Sequence, residues 1–221
     1  MKSILIIGAG NFGSHLCKDL AALNNEIMIV DKSELALQPL LGYVTSSQIA
    51  DCTNESVLRS FGIPNFDICF VCIGGNFQAS LIITSYLKEH GARYVVSKTN
   101  RDIDAKFLLH NGADEVIYPD RDISSRAAIR FSADKIFDYI ELSDGYSIYE
   151  ILPLPSWIGK SIKDLDIRGQ YRANIISVKH EGQVQFSPSP DYVFRSGDHM
   201  TVVGHKTDIE NLISKFKKHL L

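Results

Sequence analysis

Tryptophan occurs once, methionine three times and cysteine four times in 221 residues. No stretch approaches the roughly 18 consecutive apolar residues that a membrane span requires. Positive charge is also short, 23 Lys and Arg against 26 Asp and Glu for a net of −3. Without a basic field to hold phosphates, nucleic acid is not an expected partner. Four cysteines, Cys17, Cys52, Cys69 and Cys72, are too few for a disulfide framework. Cys69-x-x-Cys72 has the spacing of half a zinc site, but it lies in an apolar run that reads as a buried strand. Residues three apart on a strand face opposite sides, so core packing is the expected role. Met1-Lys2 leads into a short apolar run without signal-peptide anatomy, and a cytoplasmic location is expected.

What is present is a globular composition, 45% hydrophobic and 22% charged. Apolar runs near 2–8, 26–31, 43–51, 66–74, 93–98 and 114–119 alternate with helical stretches near 11–23, 33–42, 53–62, 76–91 and 101–112. Near-continuous apolar strands separated by helices predict a parallel sheet covered on both faces, because each crossover lays a helix on the sheet. Gly42, Gly62, Gly91 and Gly112 stand where left-handed helix C-caps are wanted. A further helix is predicted from Asp120 to about Phe137, after which the pattern changes. Strands near 138–143, 146–153, 174–180, 183–186 and 199–204 follow, with helices near 161–167 and 207–218, the last opened by a Thr207-x-x-Glu210 capping box. The expected fold class is α/β: a Rossmann-like doubly wound parallel sheet over 1–134, including a crossover helix from about 120, and a small α+β domain over 135–221.

Gly8-Ala9-Gly10-Asn11-Phe12-Gly13 follows the apolar strand Ile4–Ile7 and opens an amphipathic helix, and Asp31 ends the next strand. That context turns a generic G-x-G-x-x-G into a nucleotide-binding expectation. Gly8 allows the tight turn, Gly10 lets a pyrophosphate approach the backbone, and Gly13 lets helix pack on strand. Asp31 would accept from ribose hydroxyls and repel a 2′-phosphate, favouring NAD or an adenine nucleotide over NADP, with adjacent Lys32 pulling the other way. Asp51 borders the adenine or caps the following helix. Gly74, Asn76 and Lys98, with neighbouring Cys52 and Ile73, stand at strand C-termini around the switch-point crevice; Lys98 has a surface-charge alternative.

Catalytic equipment is missing from this pattern. Tyr94-x-x-x-Lys98 matches a dehydrogenase spacing, but the pair needs a helix and here spans a strand, roughly 13 Å end to end. None of the seven histidines has a motif partner that marks a general base.

Taken together, the glycine motif, Val71–Asn76, His110–Asp120 and Gly197–Gly204 resemble the RCK (regulator of potassium conductance) family, the Ktr/Trk-type cytosolic subunits of bacterial potassium uptake systems. The resemblance covers essentially the whole chain. It implies a non-catalytic, peripheral regulator of a membrane-embedded potassium transporter, switched by ATP versus ADP or NADH versus NAD, with a short Rossmann-fold NAD-dependent oxidoreductase as the alternative. Gly8, Gly10, Asp31, Asp51, Gly74 and Lys98 resemble the family's nucleotide contacts. Asn11 departs from the pattern, standing where some members have a γ-phosphate-reaching Arg, which favours NAD. Asp120 resembles an acidic residue at which a divalent cation bridges to ATP, or is a first-turn acid of its helix. Asp166, Ile167, Arg168, Asn174, Ile175, Ile176 and Pro188 resemble a stretch that binds cyclic di-AMP; the other reading is a dimer core with a surface Arg. Apolar Ile123, Ala127, Ala128, Ile129, Phe131, Ile136 and Phe137, followed by ten large apolar residues between Tyr139 and Trp157, predict a homodimer. An octameric ring rests on the resemblance.

Overall fold

A computed structural model of the chain describes residues 1–132 and 136–215. The chain divides into two compact units, Met1–Asp122 and Ile123–Leu221. In the first, β1 (Ser3–Ile7), β2 (Glu26–Asp31), β3 (Ser46–Ile49), β4 (Ile68–Val71), β5 (Val95–Lys98) and β6 (Glu115–Ile117) form one sheet in the order β3-β2-β1-β4-β5-β6. Every pairing is parallel, as the apolar runs predict. The order reverses between β1 and β4, which opens the crevice where doubly wound sheets bind ligands.

The cause of this arrangement is visible in β1. Leu5 and Ile7 enter one core layer with Val30, Cys69, Val71, Ile83 and Leu87. Ile4 and Ile6 enter the other with Ile27, Ile29, Cys17 and Cys72. A strand buried on both faces reads as a continuous apolar run, and its four buried side chains bring roughly 6 kcal/mol or more of transfer free energy. α1 (Asn11–Ala22) covers one face and α4 (Phe77–Glu89) the other; α2 (Glu34–Leu37), α3 (Glu55–Ser60) and α5 (Asp102–His110) complete the layers. Cys69 and Cys72 fall in opposite layers, and all four thiols are buried and free.

Three expectations need correction, the last where the chain passes into the second unit. The third strand is only Ser46–Ile49, wholly exposed, because the polar Ser46-Ser47-Gln48 run suits an edge and not a core. Gly62, Gly91 and Gly112 are left-handed as expected, but Gly42 is not, since α2 gives way to a short 3-10 turn, Gln38–Leu40, before reaching it. The helix after β6 is α6 (Pro119–Ser132), and Ile136 and Phe137 begin a strand instead.

In the second unit, β7 (Ile136–Glu141), β8 (Tyr146–Ile151), β9 (Ala173–His180), β10 (Gln183–Phe186) and β11 (His199–His205) form an antiparallel sheet, β10-β9-β11-β8-β7. The helix expected near 161–167 is two short ones, α7 (Ile162–Leu165) and α8 (Ile167–Tyr171), separated by left-handed Asp166. Tyr139, Tyr149, Ile151, Trp157, Phe194, Met200 and Leu212 fill the core. Five of the ten apolar residues read as dimer material, among them Trp157, are therefore buried within their own unit. α9 (Lys206–Ser214) starts one residue before Thr207, so His205 and not Thr207 is its N-cap; the Thr207 hydroxyl instead lies 2.9 Å from His205 Nδ1. The expected end of that helix near 218 lies outside the described residues.

Candidate nucleotide site

The glycine loop is built by two contacts that only hydrogen can make. Gly8 holds a φ of +106°, its N–H donates to Val30, and a Cβ there would stand 3.0 Å from the Cys72 carbonyl. At Gly13 a Cβ would stand 2.0 Å from the Gly8 carbonyl oxygen, which explains how tightly α1 packs on β1. Gly10, the N-cap of α1, has ordinary backbone angles and open space where a Cβ would go. No side chain caps this helix, so its first N–H groups have no capping acceptor and are suited to an anion. Asn11 begins α1 with its side chain exposed, and Phe12 follows it with Lys98 Nζ 5.8 Å from the ring centre.

Asp31 does more than end β2. One carboxylate oxygen accepts from Ala9 N–H at 2.7 Å and the other from Ser33 N–H at 2.8 Å, so the acid ties the glycine loop to the turn beyond its own strand. Beside it Lys32 pairs with Asp51 at 2.9 Å. The Asp51 carboxylate accepts from the Thr53 hydroxyl and N–H, and these bonds together with Lys32 hold it down to about 2. Asp51 caps this turn and not a helix; the N-cap of α3 is Asn54. A hollow of about 170 Å³ lies between Gly8, Asp31, Lys32, Cys52, Ile73 and Asn76. Burial first, then Asp51 and Asp31, push the Cys52 thiol up to about 12, which leaves it a packing group and not a nucleophile.

Ile73 and Asn76 also border a second hollow of about 270 Å³, which runs past Gly74, Lys98, Asn100 and Arg101. Gly74, like Gly10, has open space above it, while Asn76 accepts from Ala79 N–H and caps α4. The two hollows flank the switch point within one unit, a layout that suits a ligand with two halves. Asp120 lies in the first turn of α6 and accepts from Asn100 at 2.6 Å. Among the described residues no three histidine, cysteine or acidic side chains gather to hold a metal ion. Tyr94 donates to Glu115 and precedes β5 while Lys98 ends it, which keeps the dehydrogenase-like spacing extended.

In the other unit a cleft of about 430 Å³ is lined by Asp166, Ile167, Arg168, Asn174, Ile175 and Pro188, joined by Ile162, Lys163 and Pro190. Arg168 Nε donates to Asn174 at 2.7 Å and Asp166 accepts from Gly169 N–H, capping α8. Ile176 does not line the cleft: pairing of β9 with β11 slips there, Ser177 opposing Thr201 and Ile175 opposing Val202, so Ile176 is the bulged residue. Sequence reading missed Lys163, Pro190 and Thr53, none of which carries a motif, and it missed the surroundings of Asp198. That residue stands in the Gly197–Gly204 run, and its carboxylate is wholly buried.

Comparison with known proteins gives the same division. A TrkA-N domain model matches residues 4–119 and a TrkA-C domain model residues 147–217. The Ktr system potassium uptake protein A of Bacillus subtilis is 37% identical over 209 residues, covering 95% of this chain and 94% of the relative. The Ktr system potassium uptake protein C of the same organism is 36% identical over 220 residues, 100% of this chain and 98% of the relative. Among solved structures the GsuK channel superposes with a TM-score of 0.68 at 18% identity, over 96% of this chain and 38% of the channel chain, a likeness of fold.

Proposed function

This chain belongs to the family of potassium uptake proteins that join a TrkA-N to a TrkA-C domain, and on that premise we propose that it is the nucleotide-binding regulatory subunit of a membrane-embedded potassium transporter. The observation that carries the reading is the glycine loop with Asp31 already bonded to it, inside a chain that matches Ktr system relatives end to end. The subunit works without turnover at the cytoplasmic face of the membrane, as a homodimer that assembles into a ring of four dimers. Regulation needs only that a nucleotide bind two conformations unequally.

Among nucleotides, NAD(H) is favoured. Lys32, the cation nearest Asp31 in sequence, is engaged by Asp51 and so is not free to attract a 2′-phosphate, and Asn11 brings no charge to a γ-phosphate. The paired hollows around Ile73 and Asn76 suit the two halves of a dinucleotide. Equilibrium binding of NAD, NADH, ATP and ADP tests this: tightest binding is expected for a nicotinamide dinucleotide, and indifference to all four overturns the nucleotide reading. Substrate-dependent NADH consumption would replace regulator by oxidoreductase, whereas co-purification with a multi-span transporter supports the regulator.

Asp31→Ala is expected to raise the Kd by about 5- to 150-fold, on the order of 1–3 kcal/mol, because ribose loses a charged acceptor and the glycine loop loses its tie at Ala9. Titration calorimetry measures it; an unchanged Kd removes Asp31 from the site. The cleft in the second unit is proposed to take cyclic di-AMP, with Arg168 and Lys163 toward phosphate and Ile175, Pro188 and Pro190 against a base.

A further inference from the structure

The Gly197–Gly204 run marks the family resemblance, yet none of it lines either site. Asp198, at its start, is the most completely buried carboxylate described, with no exposed surface. It is fully occupied. Oδ1 lies 2.7 Å from His180 Nδ1, and Oδ2 accepts from the Tyr192 hydroxyl at 2.9 Å and from Arg195 N–H at 2.8 Å. An ionised carboxylate out of water is tolerable only with such a set of donors, and loss of the acceptor would strand three donors at once. Burial and the bond to Asp198 push the Tyr192 phenol up to about 12, so it stays a donor.

What these donors belong to gives the cluster its consequence. His180 ends β9, the strand that brings Asn174 and Ile175 to the second cleft. Tyr192 and Arg195 belong to the loop after β10, which brings Pro188 and Pro190 to the same cleft. The loop in turn carries the opposite wall: Ile162 N–H donates to Tyr192 O at 3.0 Å and Lys163 N–H to Pro190 O at 2.8 Å. Asp198 thus clasps the strand and the loop between which the cleft opens, while itself remaining outside the lining.

We infer that Asp198 is a positioning residue for the second cleft, holding the 187–195 loop through Tyr192 and Arg195 at the spacing a phosphate-bearing, base-bearing ligand needs. The inference rests on the ligand reading of that cleft given above. The mild variant is Tyr192→Phe, which leaves the Asp198 carboxylate two donors and removes one of its two ties to the loop. Asp198→Asn is the severe one, since it removes the buried charge and leaves a single acceptor oxygen where two served three partners.

The test is calorimetry of the full chain with cyclic di-AMP at the second cleft and NADH at the glycine loop. Tyr192→Phe is expected to weaken cyclic di-AMP by roughly 10-fold and leave NADH within twofold. A control variant, Ile209→Val, trims the same core at a residue outside the cleft lining. At a melting-temperature loss matched to that of Tyr192→Phe, it is expected to leave both affinities unchanged. Equal weakening by the control, or wild-type affinity in Tyr192→Phe, overturns the positioning role. A wild-type chain that binds NADH but not cyclic di-AMP overturns the ligand reading of the cleft and the role of Asp198 with it.

Discussion

Gly13→Ala is expected to remove nucleotide binding and destabilise the first unit together, whereas Gly10→Ala is expected to remove binding alone. The difference follows from what a methyl group meets. At Gly13 it would lie 2.0 Å from the Gly8 carbonyl oxygen and 3.2 Å from Cys72 Cβ. The Gly8 carbonyl cannot retreat freely, because the N–H of its own peptide, that of Ala9, is bonded to Asp31, the Gly8 N–H is bonded to Val30, and Gly8 holds a φ that only glycine adopts freely. Either α1 lifts from the sheet or the loop breaks, at a cost of about 3 kcal/mol or more, the upper part of the range for overpacking. At Gly10 the methyl group meets nothing in the protein, and φ is −67°. Thermal unfolding of Gly10→Ala should match the wild type, while its Kd for NADH rises at least about 100-fold, because the added carbon occupies the path by which pyrophosphate reaches the helix N-terminus. A Gly10→Ala protein that binds as tightly as the wild type would sink the phosphate-cradle assignment, whatever happens at Gly13.

These two glycines also mark how much of the site was legible in the sequence. The motif between an apolar strand and an amphipathic helix predicted the turn, because the steric demand at each glycine is local and repeats wherever strand meets helix in this way. Asp31 was legible for the same reason, as the end of the next strand, but its bond to Ala9 was not, since it depends on the register of β1 against β2, with Ile7 opposite Val30. Parallel strands buried on both faces were plain from runs such as Ile4–Ile7. Boundaries failed where one apolar element succeeds another: Ile136 and Phe137 continue a helical pattern on paper, yet Ile136 pairs with Ile151 in a sheet. Asp198 was the least legible. Its partners are 18, six and three residues away, and the most distant, His180, reaches it because His199 pairs with Lys179 across β11 and β9.

Substituting Glu for both Ile123 and Phe131 is expected to convert the protein from a dimer or larger assembly to a monomer. On α6, Ile123 is 68% and Phe131 79% exposed, large apolar side chains left mostly open by the described residues, while Ile129 packs into the core of the second unit. Both line a hollow of about 200 Å³ together with Ala127, Arg126, Arg130 and Asp138. Arg126 is held by the Tyr139 carbonyl and Asp138, and the Arg130 guanidinium lies 5.3 Å from the Phe131 ring centre, so the polar side chains of the lining are already ordered beside the apolar ones. That is the anatomy of an interface more than of a solvated helix face. Ile140, Leu142 and Tyr146, each about half exposed in the same unit, add further apolar surface for a partner. In a twofold dimer every such side chain acts twice. Burial at about 1.5–3 kcal/mol per side chain gives the four copies of Ile123 and Phe131 roughly 6 kcal/mol or more, which corresponds to about a 10⁴-fold weaker dimer when they carry charge. An obligate dimer should bury more than about 2,000 Å² in all. Light scattering at micromolar concentration should therefore report a multiple of 24.7 kDa for the wild type and 24.7 kDa for the double variant. A wild-type monomer at that concentration would remove the dimer, and with it any gating that depends on two copies moving as one.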